Sequence, residues 1–334
     1  YQLQEKQMKN GLLTCIVLTY RNGEFLFETI DSILMQDYPH IELIVAEDGA
    51  SDFNAETIKK YIEKNKKENL ENFVIHSNSP NLGTVKNVNK ALRTSQGEYV
   101  KIIAGDDAYP DSDTFSKQVA YLQYNEGLFV AGDTISCDDK MNERYRVGFS
   151  YCKNNPLNGS RKKLYRYLVL KELGLLATQV CCFHRAFFEQ LGYYDERYIL
   201  LEDMPMEKRI VLSNTRINYF QHPAVMHRGD VGTSTSSEAF DSRKYKYYLD
   251  LFHEAENNYV VDSGVLGAFP AYMRKRLCKY RLDMCKLNER ENSKKQKIVL
   301  TLKNVFPLLW HISKHKKSLT TYGKSFLSTL SGRK

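Results

Sequence analysis

Proline and glycine are scarce, at 8 and 18 of 334 residues, which excludes a collagen-like or low-complexity chain. No stretch reaches the ~18 apolar residues that crossing a bilayer requires. The polar segment Tyr1 to Asn10 lacks the apolar centre of a secretion signal. The seven cysteines are odd in number and scattered, apart from the neighbours Cys181 and Cys182. They show no CxxC or zinc spacing, so a reducing cytosol is the simplest compartment. No GxGxxG follows a strand, which counts against a dinucleotide-dependent dehydrogenase.

What is present is a globular composition, 42% hydrophobic and 26% charged, long enough for about two domains or one large α/β domain. The net charge of +8 hides an asymmetry. Ala271 to Lys334 holds 17 basic and 3 acidic residues, and the remainder 31 basic and 37 acidic. A mildly acidic body thus precedes a strongly basic tail, the pattern of a chain whose tail meets an anionic partner, a membrane surface or nucleic acid.

Hydrophobic periodicity predicts strands at 14–19, 41–46, 73–76, 99–104 and 128–131. Helices are predicted between them at 24–36, 52–67 (with Asp52 as cap), 85–92 and 111–124. Such alternation implies βαβ units and a largely parallel sheet. The second half is less regular, with helices at 161–173, 186–191 and 202–212 and strands at 178–183 and 216–220. Helices follow at 238–257 and 267–287, with a polar linker at 291–297. Cys15, Cys181, Cys278 and Cys285 read as buried packing residues.

Ligands of parallel sheets bind beyond the carboxyl ends of the strands. Here three strands end in polar groups: Thr19-Tyr20, Glu47-Asp48 and Gly105-Asp106-Asp107. Adjacent carboxylates repel, so a pair at a strand end calls for a cation, and oxygen ligands of this kind suit Mg²⁺ or Mn²⁺ shared with phosphates. A turn with an Asp helix cap is the plainer reading of Asp106-Asp107 alone; the third acid, Asp48, weighs against it.

The runs Cys15-Ile16-Val17-Leu18-Thr19-Tyr20-Arg21-Asn22, Ile33 to Tyr38 and Glu42 to Asp52 together resemble a family 2 glycosyltransferase of the GT-A fold. So do Asn81-Leu82-Gly83, Lys86-Asn87, Gly97-Glu98-Tyr99, Gly105-Asp106-Asp107, Leu191 to Glu196 and Glu202-Asp203. The resemblance spans about residues 14 to 230. It implies a metal-dependent, inverting transfer from a UDP-sugar, with Mn²⁺ or Mg²⁺ as cofactor. It places the base against Thr19 and Tyr20, with Asp48 accepting from it; Lys86 stands where the family often has Arg. Asp106 is assigned to ribose or donor sugar, Asp107 to the metal, and Asp203 to the catalytic base, which the dipole of its helix would keep ionised. A helix-terminal acid pair is the plainer reading of Glu202-Asp203.

His222, His227 and Arg228 form a further group. His227 is a candidate metal ligand and Arg228 a bidentate diphosphate contact, ahead of a Gly/Ser loop suited to closing over a donor; a surface loop with an ordinary histidine is the alternative. The domain reading is a catalytic domain at 1–235, with nucleotide-sugar and acceptor halves at 14–135 and 136–235, followed by a helical basic region at 236–334. In the tail, Ile298, Leu302, Val305 and Leu309 follow helical spacing among lysines, with Pro307 as an interruption. Such a segment suits an anionic bilayer surface, and a terminal helix docked on the protein is the other reading. The expected setting is therefore cytoplasmic, peripheral on the inner membrane face, with a lipid-linked saccharide acceptor in bacterial surface-polysaccharide synthesis and no nucleic-acid partner. A nucleotidyltransferase, or a nucleic-acid-binding protein using the tail, are the competing functions.

Overall fold

The structure, a computed structural model, describes residues 8–23, 25–171, 174–229, 242–288 and 294–314. In chain order the elements are β1 (Lys9–Thr19), α1 (Phe25–Leu34), β2 (Ile41–Glu47), α2 (Ala55–Asn65), β3 (Leu70–Ser77), α3 (Thr84–Thr94), β4 (Gly97–Ala104), α4 (Thr114–Tyr124), β5 (Phe129–Cys137) and β6 (Glu143–Val147). There follow α5 (Arg161–Lys171), β7 (Cys181–His184), α6 (Ala186–Leu191), α7 (Asp203–Leu212) and β8 (Asn218–Arg228). The last elements are α8 (Ser242–Asn257), α9 (Tyr259–Leu266), α10 (Ala268–Asn288), α11 (Lys294–Lys303) and α12 (Val305–Lys314).

The described residues fall into two compact units, one within Tyr1–Gly159 and Gly174–Ser236, the other within Ser160–Leu173 and Ser237–Lys334. The first is an α/β unit on a mixed, mostly parallel sheet ordered β3-β2-β1-β4-β7-β5-β6, with β8 paired to β5. The α/β expectation, with a largely parallel sheet flanked by helices, therefore holds. β1 to β4 pair in parallel, β7 runs antiparallel between β4 and β5, and β8 runs parallel to β5. Every residue of β2 is buried, as expected of a strand covered on both faces; its one internal charge, Glu42, accepts from Thr14 Oγ1 at 2.6 Å and Gln96 N at 2.8 Å.

Several boundaries differ from the sequence reading. Asn54, not Asp52, caps α2: its Oδ1 accepts from Thr57 N at 3.0 Å. β5 and β8 continue to Cys137 and Arg228, well past the predicted 131 and 220, because each supplies the other's hydrogen bonds where the local pattern is broken. Pro223 of β8 sits at the register irregularity of that pairing, where a missing N–H is tolerated. Thr178–Val180 is a 3₁₀ turn leading into β7. The predicted linker 291–297 gives way to helix at Lys294. Pro307 falls in the first turn of α12, where its absent N–H costs nothing.

The second unit is helical, α5 with α8 to α12. Its interior holds a charged cluster: Arg274 pairs with Glu254 at 2.5 Å and Asp262 at 3.2 Å, and Asp262 accepts from Tyr165 Oη at 2.6 Å. Among the described residues no helix is long and apolar enough to cross a membrane. The four cysteines read as packing residues are buried, and burial pushes the Cys15 thiol up to about 12, so it is an inert filler. The predicted Gly/Ser loop after Arg228 lies, from Asp230 onward, outside the described residues, as do the tail lysines beyond residue 314.

Candidate active site

Main-chain hydrogen bonds join the carboxyl ends of β1, β2 and β4. Asp48 N donates to Thr19 O at 3.0 Å and Gly105 N to Leu18 O at 2.8 Å, and Leu18 stands in register with both Ala46 and Ala104. The strand-end groups therefore leave the sheet along one edge. Thr19 is buried; its Oγ1 donates to Asn22 Oδ1 at 2.9 Å, and the same oxygen accepts from Tyr20 N at 2.8 Å. Asn22 thus folds the loop after β1, leaving Tyr20 half-buried with the Arg21 guanidinium 5.1 Å from its ring centre.

Asp48 is buried and its carboxylate accepts from Leu82 N at 2.9 Å, Gly83 N at 2.8 Å and Asn78 Nδ2 at 3.1 Å. Two of these donors are the amides that lead into α3, so the acid sits at a helix N-terminus. Gly83 is required there: its φ is +86°, and a Cβ would lie 2.6 Å from Ile199 Cγ2. Replacing Asp48 by Ala removes three hydrogen bonds to a charged acceptor. The expected loss is about 3 to 5 kcal/mol of unfolding free energy in urea titration; an unchanged midpoint would contradict this placement. Lys86 is exposed. The cation tied to the Asp48 network is Lys90, whose Nζ donates to Asn78 Oδ1 at 2.6 Å; only the tertiary fold brings it there.

The close approach at Gly83 also positions Asp203. Val85 N donates to Ile199 O at 3.1 Å. Asn89 holds Tyr194 from both sides, accepting from its N at 3.1 Å and donating to its O at 2.8 Å. The segment before α7 is thereby laid along α3. Asp203 opens α7, half-buried, its Oδ1 accepting from Met204 N at 2.7 Å. Burial raises its pKa above the ordinary carboxylate range, and the Met204 bond offsets this only in part. Burial therefore opposes the ionisation that the start of a helix favours. One turn on, Glu207 is buried, accepts from Leu176 N at 3.2 Å, and is pushed up to about 8 by burial and by the Asp203 charge.

Asp107 is buried against the end of β8. Its Oδ1 accepts from Arg228 N at 2.8 Å, and His227 Nδ1 lies 3.1 and 3.2 Å from its two oxygens. The next residue, Ala108, exchanges main-chain bonds of 3.1 and 2.7 Å with Met226. A carboxylate on Nδ1 fixes the tautomer that leaves Nε2 as the lone-pair nitrogen. Burial works against the imidazolium, but the Asp107 hydrogen bond and charge outweigh it, so the His227 pKa is raised. The half-buried Asp106 carboxyl is pushed up to about 6, first by burial and then by its neighbour Asp107.

Arg228 is placed differently from a ligand-facing residue. It is 2% exposed, and its guanidinium lies 4.3 Å from the Phe25 ring centre and pairs with Glu28. It donates to Asp106 O at 2.9 Å and Asp139 O at 2.5 Å. It holds the acid turn from behind. His222 stands in a separate group with Asp111 and Asp113. The cation in that group is Lys117, whose Nζ lies 3.0 Å from His222 Nε2 and 2.8 Å from Asp113.

A mostly parallel α/β sheet takes its ligands beyond the carboxyl ends of its strands, the edge where these acids gather. The family described as Glycosyl transferase family 2 matches residues 14–192, more than half of the chain, and the chain belongs to that family. An uncharacterized glycosyltransferase of Haemophilus influenzae is 30% identical over 136 residues, 41% of this chain and 52% of that protein. The chain thus spans about half the length of that relative. The poly(ribitol-phosphate) beta-N-acetylglucosaminyltransferase TarS of Staphylococcus aureus is 30% identical over 109 residues, 32% of this chain and 18% of TarS. The TarS 1–349 structure in complex with UDP-GlcNAc aligns with a TM-score of 0.57 at 18% identity, covering 89% of this chain and 81% of that one. The mannosyltransferase PcManGT of Pyrobaculum calidifontis, in complex with GDP-Man and Mn²⁺, aligns with a TM-score of 0.54 at 16% identity, covering 100% and 91%. At these identities the structural likeness speaks for the fold.

Proposed function

We propose that the protein transfers a sugar, with inversion, from a UDP-sugar to a saccharide acceptor, using Mn²⁺ or Mg²⁺. The observation that carries this reading is the Asp106-Asp107 turn, locked to His227 on β8 at the same sheet edge as Thr19 and Asp48. The donor set fits a divalent cation: two adjacent carboxyls, one of them pushed up to about 6 by burial and by the other, with an imidazole oriented by a carboxylate. Asp107 and His227 would hold the cation, which when bound stabilises negative charge on the diphosphate leaving group. Thr19 and Tyr20 line the place of the base, Asp48 and Lys86 flank it, and Asp106 faces ribose or donor sugar. Arg228 acts through Asp106 and Asp107 as a positioning residue. Asp203 takes the proton from the acceptor hydroxyl as the sugar is displaced.

The catalytic domain is taken as 1–235 apart from α5, which groups with the basic helical region at 236–334; the nucleotide-sugar half of the domain is 14–135 and its acceptor half the rest of 136–235. The charge asymmetry between body and tail supports a lipid-linked acceptor and a cytoplasmic protein peripheral to the inner membrane face, in bacterial surface-polysaccharide assembly. TarS, by its name a transferase of N-acetylglucosamine to poly(ribitol-phosphate), supports a bacterial polymer as the kind of acceptor. The test is UDP release from a panel of UDP-sugars with Mn²⁺ and with chelator. Failure of every UDP-sugar in the panel to give release, or equal release in chelator, would refute the reading.

A linked prediction concerns pH. The folded-state pKa of Asp106 lies above its unfolded value, so between about 4 and 6 the native state keeps a proton that the unfolded chain has lost. Stability from this group therefore falls as pH rises through that window. Mn²⁺ offsets the repulsion of the ionised pair, so its increment in Tm is expected to be larger at pH 7.5 than at pH 5.0. Equal increments would argue against the carboxylate pair as its site.

A further inference from the structure

We infer that the second unit carries a membrane-contact face, built from α11, α12 and the start of α10, that seats on anionic phospholipid. It concerns a different unit from the sugar-transfer site and goes beyond the tail's overall charge by naming the side chains that make the contact.

Val299 and Leu302 on α11, and Phe306 and Leu309 on α12, are each spaced three apart, so each pair shares a face of its helix, and each residue is between 49% and 75% exposed. Thr301, Asn304 and Leu308 are buried and form the opposite face. The two helices thus bury Thr301, Asn304 and Leu308 while leaving four large apolar side chains in solvent, more than a helix docked only for its own burial exposes. On α10, Phe269 and Tyr272 are also exposed. Arg276 joins the two rows: its guanidinium lies 5.9 Å from the Tyr272 ring centre, and Nη2 donates to Lys303 O at 2.8 Å and Asn304 Oδ1 at 3.1 Å. Those acceptors lie between Leu302 and Phe306 in the chain, so the two rows adjoin.

Soluble proteins seldom leave so many large apolar side chains in one area unless something covers it. Charge selects the occupant. Residues 294–314 contain five lysines and no acid, and Lys295 and Lys303 are exposed within the same helices. Apolar residues flanked by lysines on helices too short and too charged to span a bilayer match a surface that is apolar below and anionic above.

The test is sedimentation of the full chain with vesicles of phosphatidylcholine alone or mixed with phosphatidylglycerol. Binding to the anionic vesicles is expected to weaken as salt rises. Leu302→Ser/Phe306→Ser/Leu309→Ser, at exposed positions, is expected to bind about tenfold less with an unchanged Tm. Lys295→Glu/Lys303→Glu is expected to lose at least about fivefold per lysine. UDP release with a soluble acceptor should persist in both variants, so failure of this inference and failure of the sugar-transfer reading give different results. Equal binding to neutral vesicles overturns the proposal. So does wild-type binding by the apolar triple variant, or self-association without lipid binding that this variant abolishes, which would make a second copy the occupant.

Discussion

Asp203→Asn is expected to lower kcat about a thousandfold while leaving KM for the donor within a factor of two or three, as removal of a general base does. The same substitution is expected to leave the fold intact or raise Tm slightly at neutral pH. Burial raises the Asp203 pKa, so its ionised form costs stability in the native state. That cost falls in the range above the ordinary carboxylate pKa, and a neutral amide removes it. The Asn carbonyl can still accept from Met204 N. Lost turnover with retained or increased stability separates a chemical role from a structural one, because a merely structural carboxylate would lower both. The acid limb of the wild-type kcat profile should lie above the usual carboxylate range, in the direction of that shift. Unchanged turnover in Asp203→Asn would remove the base assignment.

Asp107→Asn is the second large effect, an expected drop of at least about a hundredfold in turnover at any fixed Mn²⁺ concentration, with half-saturation by Mn²⁺ moved upward. Asn is the cleaner replacement than Ala. Its carbonyl can keep the acceptor for Arg228 N, whereas Ala would leave that buried N–H unpaired at a cost of about 1–3 kcal/mol. What Asn cannot keep is the negative charge against His227 Nδ1. The imidazole then loses the partner that fixes its tautomer and raises its pKa. Full transfer by Asp107→Asn at wild-type Mn²⁺ levels would exclude this residue as a metal ligand.

The sheet edge was legible because β1, β2 and β4 are apolar, β-branched runs that stop abruptly at polar residues, and their register makes those stops coincide. The same logic missed β6, a strand of Glu143 to Val147 that is charged, only five residues long and has no buried face. It also shortened β5 and β8, where Gly132 and Pro223 break a pattern that pairing between distant segments restores. Helix α5 reads locally as part of the α/β half, yet it belongs to the helical unit through partners such as Asp262, 97 residues away. Within the candidate site, the acids and His227 announce themselves by residue type. Asn22, Asn78, Asn89 and Lys90 do not, since each is an ordinary polar residue until the fold supplies its partner. Arg228 shows the same limit from the other side. Its type suggests an anion, but Phe25 and Glu28, 200 residues earlier, turn its guanidinium inward.

The central claim is that acids from the ends of β2 and β4 gather around one uridine diphosphate bridged by a cation. Calorimetric titration of UDP into the full chain, with Mn²⁺ and with chelator, tests it most directly. Binding that needs Mn²⁺ in the wild type, and that Asp107→Asn weakens at least about tenfold, is the predicted result. UDP bound equally well in chelator, or bound by neither protein under either condition, would contradict it.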